Sequence, residues 1–303
     1  MINKNAIKKF LLLSGFHGEI KFFEEMISHT SFRIGGSGDL FIIPAGGNDM
    51  IKLFKTLSGE DIPCYILGGG TNLLVPDSGI RGVVIQTGPG MGDFNFRSES
   101  LIAEAGVSLP RLVHSVSEHG LSGLEFAAGI PGTIGGAVVM NAGCGGGDIS
   151  QVVRRVRTFK PGTGIKDWVP KDCHFGYRSS RFRLAEEIVL EVEFELRRDN
   201  PAAIRKKMDD ILSQRKAVLP LEYPSAGSIF KNPPENFAGR LIEEAGLKGE
   251  RVGGAQISER HANVIVNLGS ARSTEVEELI AVARGKVKEL FGVKLDLELE
   301  IWR

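Results

Sequence analysis

Two glycine-rich stretches and a few polar positions outside them hold the residue types that could do chemistry in this chain. The first stretch is Leu67-Gly68-Gly69-Gly70-Thr71-Asn72-Leu73-Leu74-Val75. The second runs from Ala128-Gly129-Ile130-Pro131-Gly132-Thr133-Ile134-Gly135-Gly136-Ala137 to Asn141-Ala142-Gly143. A residue without Cβ lets the backbone approach a ligand closely, and successive exposed N–H groups make a concave anion site. The first stretch is not a Walker loop, because the Gly-Lys-Ser/Thr ending is missing. It is not a Rossmann turn either, since its glycines are consecutive and no acid follows at the ribose distance. Alone it serves equally well as a plain turn, and the second as a tight turn with close strand-on-helix packing. Their joint presence favours a large, flat, phosphate-bearing cofactor held mainly by main chain.

Outside the glycines, Arg178 follows Tyr177 in Tyr-Arg-Ser-Ser-Arg-Phe. A guanidinium fork fits a carboxylate through two parallel hydrogen bonds. Arg181 and Arg183 are neighbours of the same kind, and a surface arginine in a turn gives the same pattern. Ser225 and Ser228 lie in a loop rich in Pro, Ser and Gly. A serine is a poor acid and needs a nearby base or cation to donate a proton; Lys231 and loop amides are at hand, though turn serines are common. Asp296, Glu298 and Glu300 share the polar face of an alternating strand, where solvated carboxylates are ordinary. Burial would be needed to raise the pKa of any of them.

The composition restricts the classes of function. The chain has 303 residues, 42% hydrophobic and 24% charged, with 37 Lys plus Arg balanced by 37 Asp plus Glu. No basic excess drives binding to a nucleic-acid backbone. The 39 glycines are clustered rather than periodic, so they mean turns and ligand-facing backbone. Cys64, Cys144 and Cys173 lie far apart, without metal-ligand spacing, and suit a reducing cytoplasm better than a disulfide framework. Lys4, Lys8 and Lys9 precede Phe10-Leu11-Leu12-Leu13, but the apolar run stops at Ser14-Gly15, too short for a signal peptide. No stretch has the length of a membrane span.

The elements that must position these residues follow from periodicity and punctuation. Residues 1–19 read as a short helix and turn, followed by a weak helix or loop up to His29. Leu40-Phe41-Ile42-Ile43-Pro44 is a buried strand ended by proline. Asn48 or Asp49 caps a helix with Met50, Leu53, Phe54 and Leu57 on one face. Tyr65–Leu67, Gly82–Thr87 and Leu101–Val107 are strands. Ser108 caps a helix with Pro110 in its first turn and Leu112, Val113 and Val116 inward, stopped by Gly120. Ile188–Leu196 alternates cleanly, as a half-buried antiparallel strand with a wet acidic face. Asn200-Pro201 opens a helix carrying Ile204, Met208, Ile211 and Leu212. Residues 219–234 are a loop, 238–245 a short helix stopped by Gly246, and Val264–Val266 a strand. Thr274 with Glu277 makes a capping box, and Leu295–Ile301 alternates to the end. Without regular βαβ alternation the fold class is α+β.

The ordered set of motifs resembles the UDP-N-acetylenolpyruvoylglucosamine reductase family. It comprises Thr30-Ser31-Phe32-Arg33-Ile34-Gly35-Gly36, the two glycine stretches, Tyr177–Phe182, Ala226-Gly227-Ser228-Ile229-Phe230-Lys231-Asn232-Pro233, Gly253–Ser258, His261-Ala262-Asn263 and Leu297–Ile301. The resemblance covers nearly the whole chain. It implies a two-lobed FAD-binding domain of the vanillyl-alcohol-oxidase or p-cresol-methylhydroxylase type, with FAD between the lobes, plus a C-terminal α+β substrate domain. The expected divisions are 1–88 with an N-terminal helix, 89–199, and 200–303. The implied reaction is NADPH-dependent, FAD-mediated reduction of UDP-N-acetylglucosamine enolpyruvate to UDP-N-acetylmuramate in peptidoglycan precursor synthesis. Hydride passes from flavin N5 to the enolpyruvyl methylene, and a serine protonates the neighbouring carbon.

The motif frame singles out Arg178 as the group stabilising charge on the substrate carboxylate, Ser228 as proton donor and Glu298 as its polarising partner with Arg178. Non-covalent FAD is expected at Arg33, Gly68, Gly69, Gly70, Thr71, Asn72, Leu73, Gly129, Pro131, Gly132, Thr133, Gly135, Gly136 and Asn141. Substrate contacts are expected at Tyr177, Lys231, Asn232, His261 and Asn263, with Arg240 and Arg251 as further candidates for the UDP diphosphate. Cys144-Gly145-Gly146-Gly147 departs from the aromatic that many relatives carry after Asn-Ala-Gly. Phe182 leads almost directly into the 188–196 strand, which marks the short-loop subclass. The resemblance further implies a cytoplasmic monomer or weak oligomer acting on small molecules, with no metal, nucleic acid or membrane. Another FAD oxidoreductase of this fold and a non-catalytic flavin-binding protein are the alternatives; intact Arg178, Ser228 and Glu298 speak against the latter.

Overall fold

The alternating run at Ile188–Glu195 is the middle strand of a five-stranded antiparallel sheet. Its order is Gly164–Trp168, Val153–Lys160, Ile188–Glu195, Ser100–Glu104, Phe94–Arg97. Val192 and Phe194 are fully buried, while Glu191 and Glu193 point to the other face, as a period of two requires. There Arg155 meets Glu193 at 3.0 Å and Asp167 at 2.9 Å, and Arg157 meets Asp167 at 2.8 Å and Glu191 at 3.0 Å. The hydrogen bond from Arg157, joined by Arg155, holds the Asp167 carboxyl below its usual range.

The computed structural model describes residues 15–57, 62–183 and 187–303. Most of the helix expected at the N-terminus lies outside them. Contacts divide the chain into two units: residues 15–22, 40–69 and 82–213 form the first, and 23–39, 70–81 and 214–303 the second. Besides the five-stranded sheet, a four-stranded sheet has the order Glu19–Glu25, Ser37–Ile43, Ile80–Gln86, Cys64–Leu67, the last two parallel. The chain passes between the units within the first three of these strands. In the first unit the helices Gly47–Leu57 and Leu109–Glu118 bury Met50, Leu53 and Leu57, and Leu112, Val113 and Val116. These join Leu40, Ile42, Val83 and Ile85 with Leu101, Val156, Val192 and Phe194 in one core.

The second unit has a four-stranded antiparallel sheet in the order Ser225–Ser228, Val264–Asn267, Ala255–Ile257, Arg251–Val252. The helices Ala238–Glu244 and Ser273–Phe291 bury Leu241, Ile242, Val276, Leu279, Ile280 and Val287. Phe32, Ile34 and Leu74 belong to this core. Leu73–Leu74 pairs in parallel with Glu300–Ile301 near the end of the chain. The loop after the first glycine stretch also holds the long helix. Ser273 donates from N and Oγ to the Asp77 carboxylate at 3.0 and 2.9 Å, and Asp77 N donates back to Ser273 Oγ.

Helices and strands thus mix as α+β, but several boundaries differ from the sequence pattern. Residues 19–25, expected as weak helix or loop, form a strand, followed by a 3-10 turn at Met26–Ser28. Neighbouring strands override the weak local preference. The loop at 219–234 contains the strand Ser225–Ser228. The capping box lies earlier than Thr274 and Glu277: the Glu275 carboxylate accepts from Arg272 N at 3.0 Å and from Gly254 N at 2.9 Å. The alternating C-terminus is strand only at Glu300–Ile301, with an isolated bridge from Leu297 to Phe230. The strand beginning at Ser100 ends at Glu104, and Gly106 and Val107 turn beside Gly88 and Glu104.

Candidate active site

In the first unit Gly68, from the start of the first glycine stretch, meets the second stretch. The parallel strand Cys64–Leu67 ends at Gly68, where a Cβ would stand 2.5 Å from Thr133 Oγ1. Thr133 caps the short helix Ile134–Met140, accepting from Gly136 N at 3.4 Å. Ile134 N and Gly135 N donate to Val107 and Ala105 at 2.9 and 2.8 Å. Gly135 is buried, and a Cβ there would stand 3.0 Å from Ala105 Cβ, so packing by itself favours glycine there. Gly69, Pro131 and Gly136 are exposed, and Gly129 and Gly132 have φ of 76° and 117°. Gly69, Gly129 and Gly136 therefore offer exposed main chain without side chains, which suits a diphosphate and a flat ring. The composition of the two stretches fits FAD.

The continuation of the second stretch holds the Tyr177-Arg178 turn. Gly176 and Ser179 exchange backbone hydrogen bonds at 2.9 and 3.1 Å, leaving Tyr177 and Arg178 as the two central residues. Arg178 has φ of 51°, an uncommon conformation for a side chain of this size, which persists where surroundings enforce it. Three bonds do so. Ser180 Oγ donates to Val139 O at 2.8 Å, Asn141 Nδ2 to Gly176 O at 3.0 Å, and Arg178 Nη2 to Gly143 O at 2.8 Å. Tyr177 is 54% exposed, with the Arg178 guanidinium 5.3 Å from its ring centre. Arg181, its sequence competitor, instead lies 3.4 Å over the Trp168 ring. Asn141, expected at FAD, is buried and accepts from Ser150 N at 3.0 Å as well. A cavity of about 770 Å³ in this unit, lined by Ser122, Glu125, Phe126, Lys207 and Asp210 among others, contains none of the expected site residues.

In the second unit Ser228, Glu298 and Asn72 converge. Ile229 O, next to Ser228, accepts from Glu298 N at 2.9 Å and Leu299 N at 3.2 Å. Asn72 Nδ2 donates to Glu298 O at 3.0 Å, and Asn72 O accepts from Glu300 N at 3.0 Å. Lys231 N donates to Asp296 O at 2.8 Å, so Lys231 belongs to the same strip. Ser228 pairs with Val264 across an irregularity at Gly227, whose φ is 73°. Ser225, the alternative proton donor, uses its carbonyl to accept from Ser31 Oγ at 2.7 Å. Gly70 has φ of 61°, and a Cβ there would stand 2.0 Å from His29 O; the loop of Ser31 and Arg33 crowds it. Arg33 is exposed, also with positive φ.

The expected substrate residues of this unit play visible structural parts. Asn263 is buried and spans one backbone unit: Phe230 N donates to its Oδ1 at 2.9 Å, and its Nδ2 donates to Phe230 O at 2.8 Å. His261 Nδ1 accepts from Asn263 N at 3.2 Å, and burial holds His261 below its ordinary pKa. Asn232 Oδ1 accepts from Ala238 N at 3.0 Å at the start of a helix. Arg240 pairs with Glu244 at 2.7 Å, and Arg251 Nε donates to Gly253 O at 2.7 Å.

Sequence reasoning missed Asn267. It is buried, donates to Phe32 O at 3.0 Å and Arg33 O at 3.2 Å, and accepts from Gly269 N and Ala271 N. The signal was an amide ending the apolar run Val264–Val266, a position where a polar group must find partners. Among the described residues no group of His, Cys, Asp and Glu could hold a metal, and no helix is long and apolar enough to cross a membrane. Among the described residues Cys64, Cys144 and Cys173 form no disulfide. Burial pushes the Cys173 thiol up to about 11.

Comparison with known proteins fits this geometry. The FAD binding domain model matches residues 38–165, and the model for the UDP-N-acetylenolpyruvoylglucosamine reductase C-terminal domain matches 219–302. The chain is thus an FAD-dependent oxidoreductase. It is 43% identical over 282 residues to UDP-N-acetylenolpyruvoylglucosamine reductase of Syntrophomonas wolfei, covering 93% of this chain and 94% of that one. It is 45% identical to reductase 2 of Symbiobacterium thermophilum, covering 94% and 92%. A crystal structure of the reductase from Thermus caldophilus aligns with a TM-score of 0.80 at 36% identity, over 95% of this chain and all of that one. The chain belongs to the UDP-N-acetylenolpyruvoylglucosamine reductase family.

Proposed function

We propose that the chain reduces UDP-N-acetylglucosamine enolpyruvate to UDP-N-acetylmuramate with NADPH as reductant, as a step in peptidoglycan precursor synthesis. The observation that supports it best is the strip where Glu298 N binds the carbonyl of Ile229, the residue after Ser228. It links, main chain to main chain, the segments of distant sequence that carry the Ser228 hydroxyl and the Glu298 carboxyl.

FAD, when bound non-covalently, supplies the hydride that adds to the enolpyruvyl methylene. The chain's own residues bind, orient and protonate. Gly68, Gly69, Gly70, Thr71, Asn72 and Leu73 provide main chain for the diphosphate, and Arg33 adds a cation for it. Gly129, Pro131, Gly132, Thr133, Gly135 and Gly136 provide the wall for the ring system. Arg178 stabilises charge as it builds on the carboxylate, where preorganised donors are worth most; its bond to Gly143 fixes the plane of the fork. Ser228 gives the proton, and Glu298 polarises the carboxylate. Tyr177, Lys231, Asn232, His261 and Asn263 contact or frame the substrate. Residues 1–88 and 89–199 serve as the FAD lobes and 200–303 as the substrate domain, in a cytoplasmic monomer or weak oligomer.

The test is Ser228→Ala in the full chain. Flavin reduction by NADPH should proceed, while reoxidation by the enolpyruvyl substrate should slow by roughly 10²–10⁴-fold. Reoxidation at the wild-type rate would remove Ser228 from the mechanism. No substrate-dependent consumption of NADPH by the wild type would overturn the reaction itself.

A further inference from the structure

The bonds that enforce the Arg178 turn come from alternate residues of one segment. Val139 meets Ser180, Asn141 meets Gly176, and Gly143 meets Arg178. Only the middle rung uses a side chain of the segment itself. Asn141 sits at the end of the helix Ile134–Met140 with φ of 44°, a conformation asparagine tolerates better than most residues. Its side chain is buried, and its amide is engaged at both ends, by Gly176 O and Ser150 N. That leaves it poorly placed to serve as a ligand for the cofactor.

From this geometry we infer that Asn141 is a positioning residue, which holds the Gly176–Ser179 turn so that Arg178 keeps its left-handed backbone and its guanidinium plane. The inference rests on the reading that Arg178 stabilises the substrate carboxylate. Gly143, two residues on, fixes the guanidinium directly, so Asn141 holds the turn at the Gly176 carbonyl while Gly143 holds the Arg178 fork. A guanidinium displaced by about 1 Å loses much of its value to a developing charge. The segment that follows the flavin-facing glycines would then set the electrophile of the reaction as well.

Two variants separate side chain from backbone. Asn141→Gly keeps the left-handed conformation and removes both amide bonds. Asn141→Asp keeps the acceptor for Ser150 N and loses the donor to Gly176 O. In the FAD-loaded full chain, FAD affinity by fluorescence and flavin reduction by NADPH should match wild type in both. Reoxidation by UDP-N-acetylglucosamine enolpyruvate should slow by roughly 10- to 100-fold, read in kcat. In an Arg178→Ala background neither change should slow it further, because the residues act as a unit. Wild-type reoxidation in both single variants overturns the inference, as does a full multiplicative loss in the Arg178→Ala background. Weakened FAD binding with normal reoxidation returns Asn141 to the cofactor. Should Asn141→Gly fail to fold, Asn141→Asp decides. If Arg178→Ala itself reoxidises normally, the reading of Arg178 falls and this inference with it; if Arg178→Ala is slow and both Asn141 variants are fast, only the inference falls.

Discussion

Gly68→Ala tests whether the two glycine stretches meet as tightly as the structure shows. The new Cβ would stand 2.5 Å from Thr133 Oγ1, but 3.8 Å from Thr133 Cβ and 3.9 Å from Cγ2. The clash is therefore with one atom, and about 1 Å of movement is needed to restore ordinary contact. Thr133 is buried and β-branched, so its χ1 is stiff. Turning Oγ1 away also gives up its hydrogen bond from Gly136 N, long at 3.4 Å. Overpacking and a lost cap together set the cost of Gly68→Ala at about 1–3 kcal/mol.

Thr133→Ala should cost about 0.5–1 kcal/mol alone, at the low end for a cap because the bond is long. It also removes the clashing atom. Gly68 does not occupy the left-handed region, so alanine there restricts the unfolded chain and returns about 0.4–1 kcal/mol. The double variant should thus be as stable as Thr133→Ala or slightly more so. Urea unfolding of all four proteins, with and without FAD, reads the cycle. A double variant whose loss equals the sum of the singles would refute the contact. A stable double variant that still binds FAD weakly would show that Gly68 is also needed bare by the ligand.

The other predictions concern the second unit. Asn263→Ala should destabilise by about 2–5 kcal/mol, since it strands both Phe230 N–H and C=O in a buried place; a urea midpoint within error of wild type would contradict that role. Burial lowers the His261 pKa from its ordinary 6.5. The unfolded chain then takes up a proton that the folded chain resists, so this contribution to stability is present above pH 6.5 and is lost as pH falls toward the folded value. Urea midpoints at pH 7.5 and 5.5 should differ less in His261→Gln than in wild type. Arg178→Lys keeps a charge but not the fork, and should slow substrate-driven flavin reoxidation; an unchanged rate would mean charge alone suffices.

Much of the local structure was legible. The helix Pro201–Val218 starts where Asn200 and Pro201 place it, with Ala202 N donating to Asn200 Oδ1 at 2.9 Å. The strand Ile188–Glu195 buries the face its alternation marks. These signals are local, because capping and periodicity depend on neighbours in sequence. The order of motifs was likewise a property of the sequence, and sufficed to indicate the family and its cofactor. The site was legible only as a set of positions. Ser228 and Glu298 were singled out by motif, since a turn serine and a strand carboxylate carry no local mark of function.

What the sequence by itself determined was which residues are apolar, where elements start and stop, and where main chain is left bare. Tertiary structure alone decided partnership. Residues 23–39 and 70–81 fold with the C-terminal unit, and Leu73–Leu74 finds Glu300–Ile301 as a parallel neighbour. Asn263 closes on Phe230, Asn267 on Phe32, and Asn141 on the turn of Arg178. The reason is that a polar group must be satisfied once buried, yet many partners along the chain would serve. The partner is fixed only when packing brings one of them within reach. The two glycine stretches show the same division: sequence left them bare, and the fold set Gly68 against Thr133.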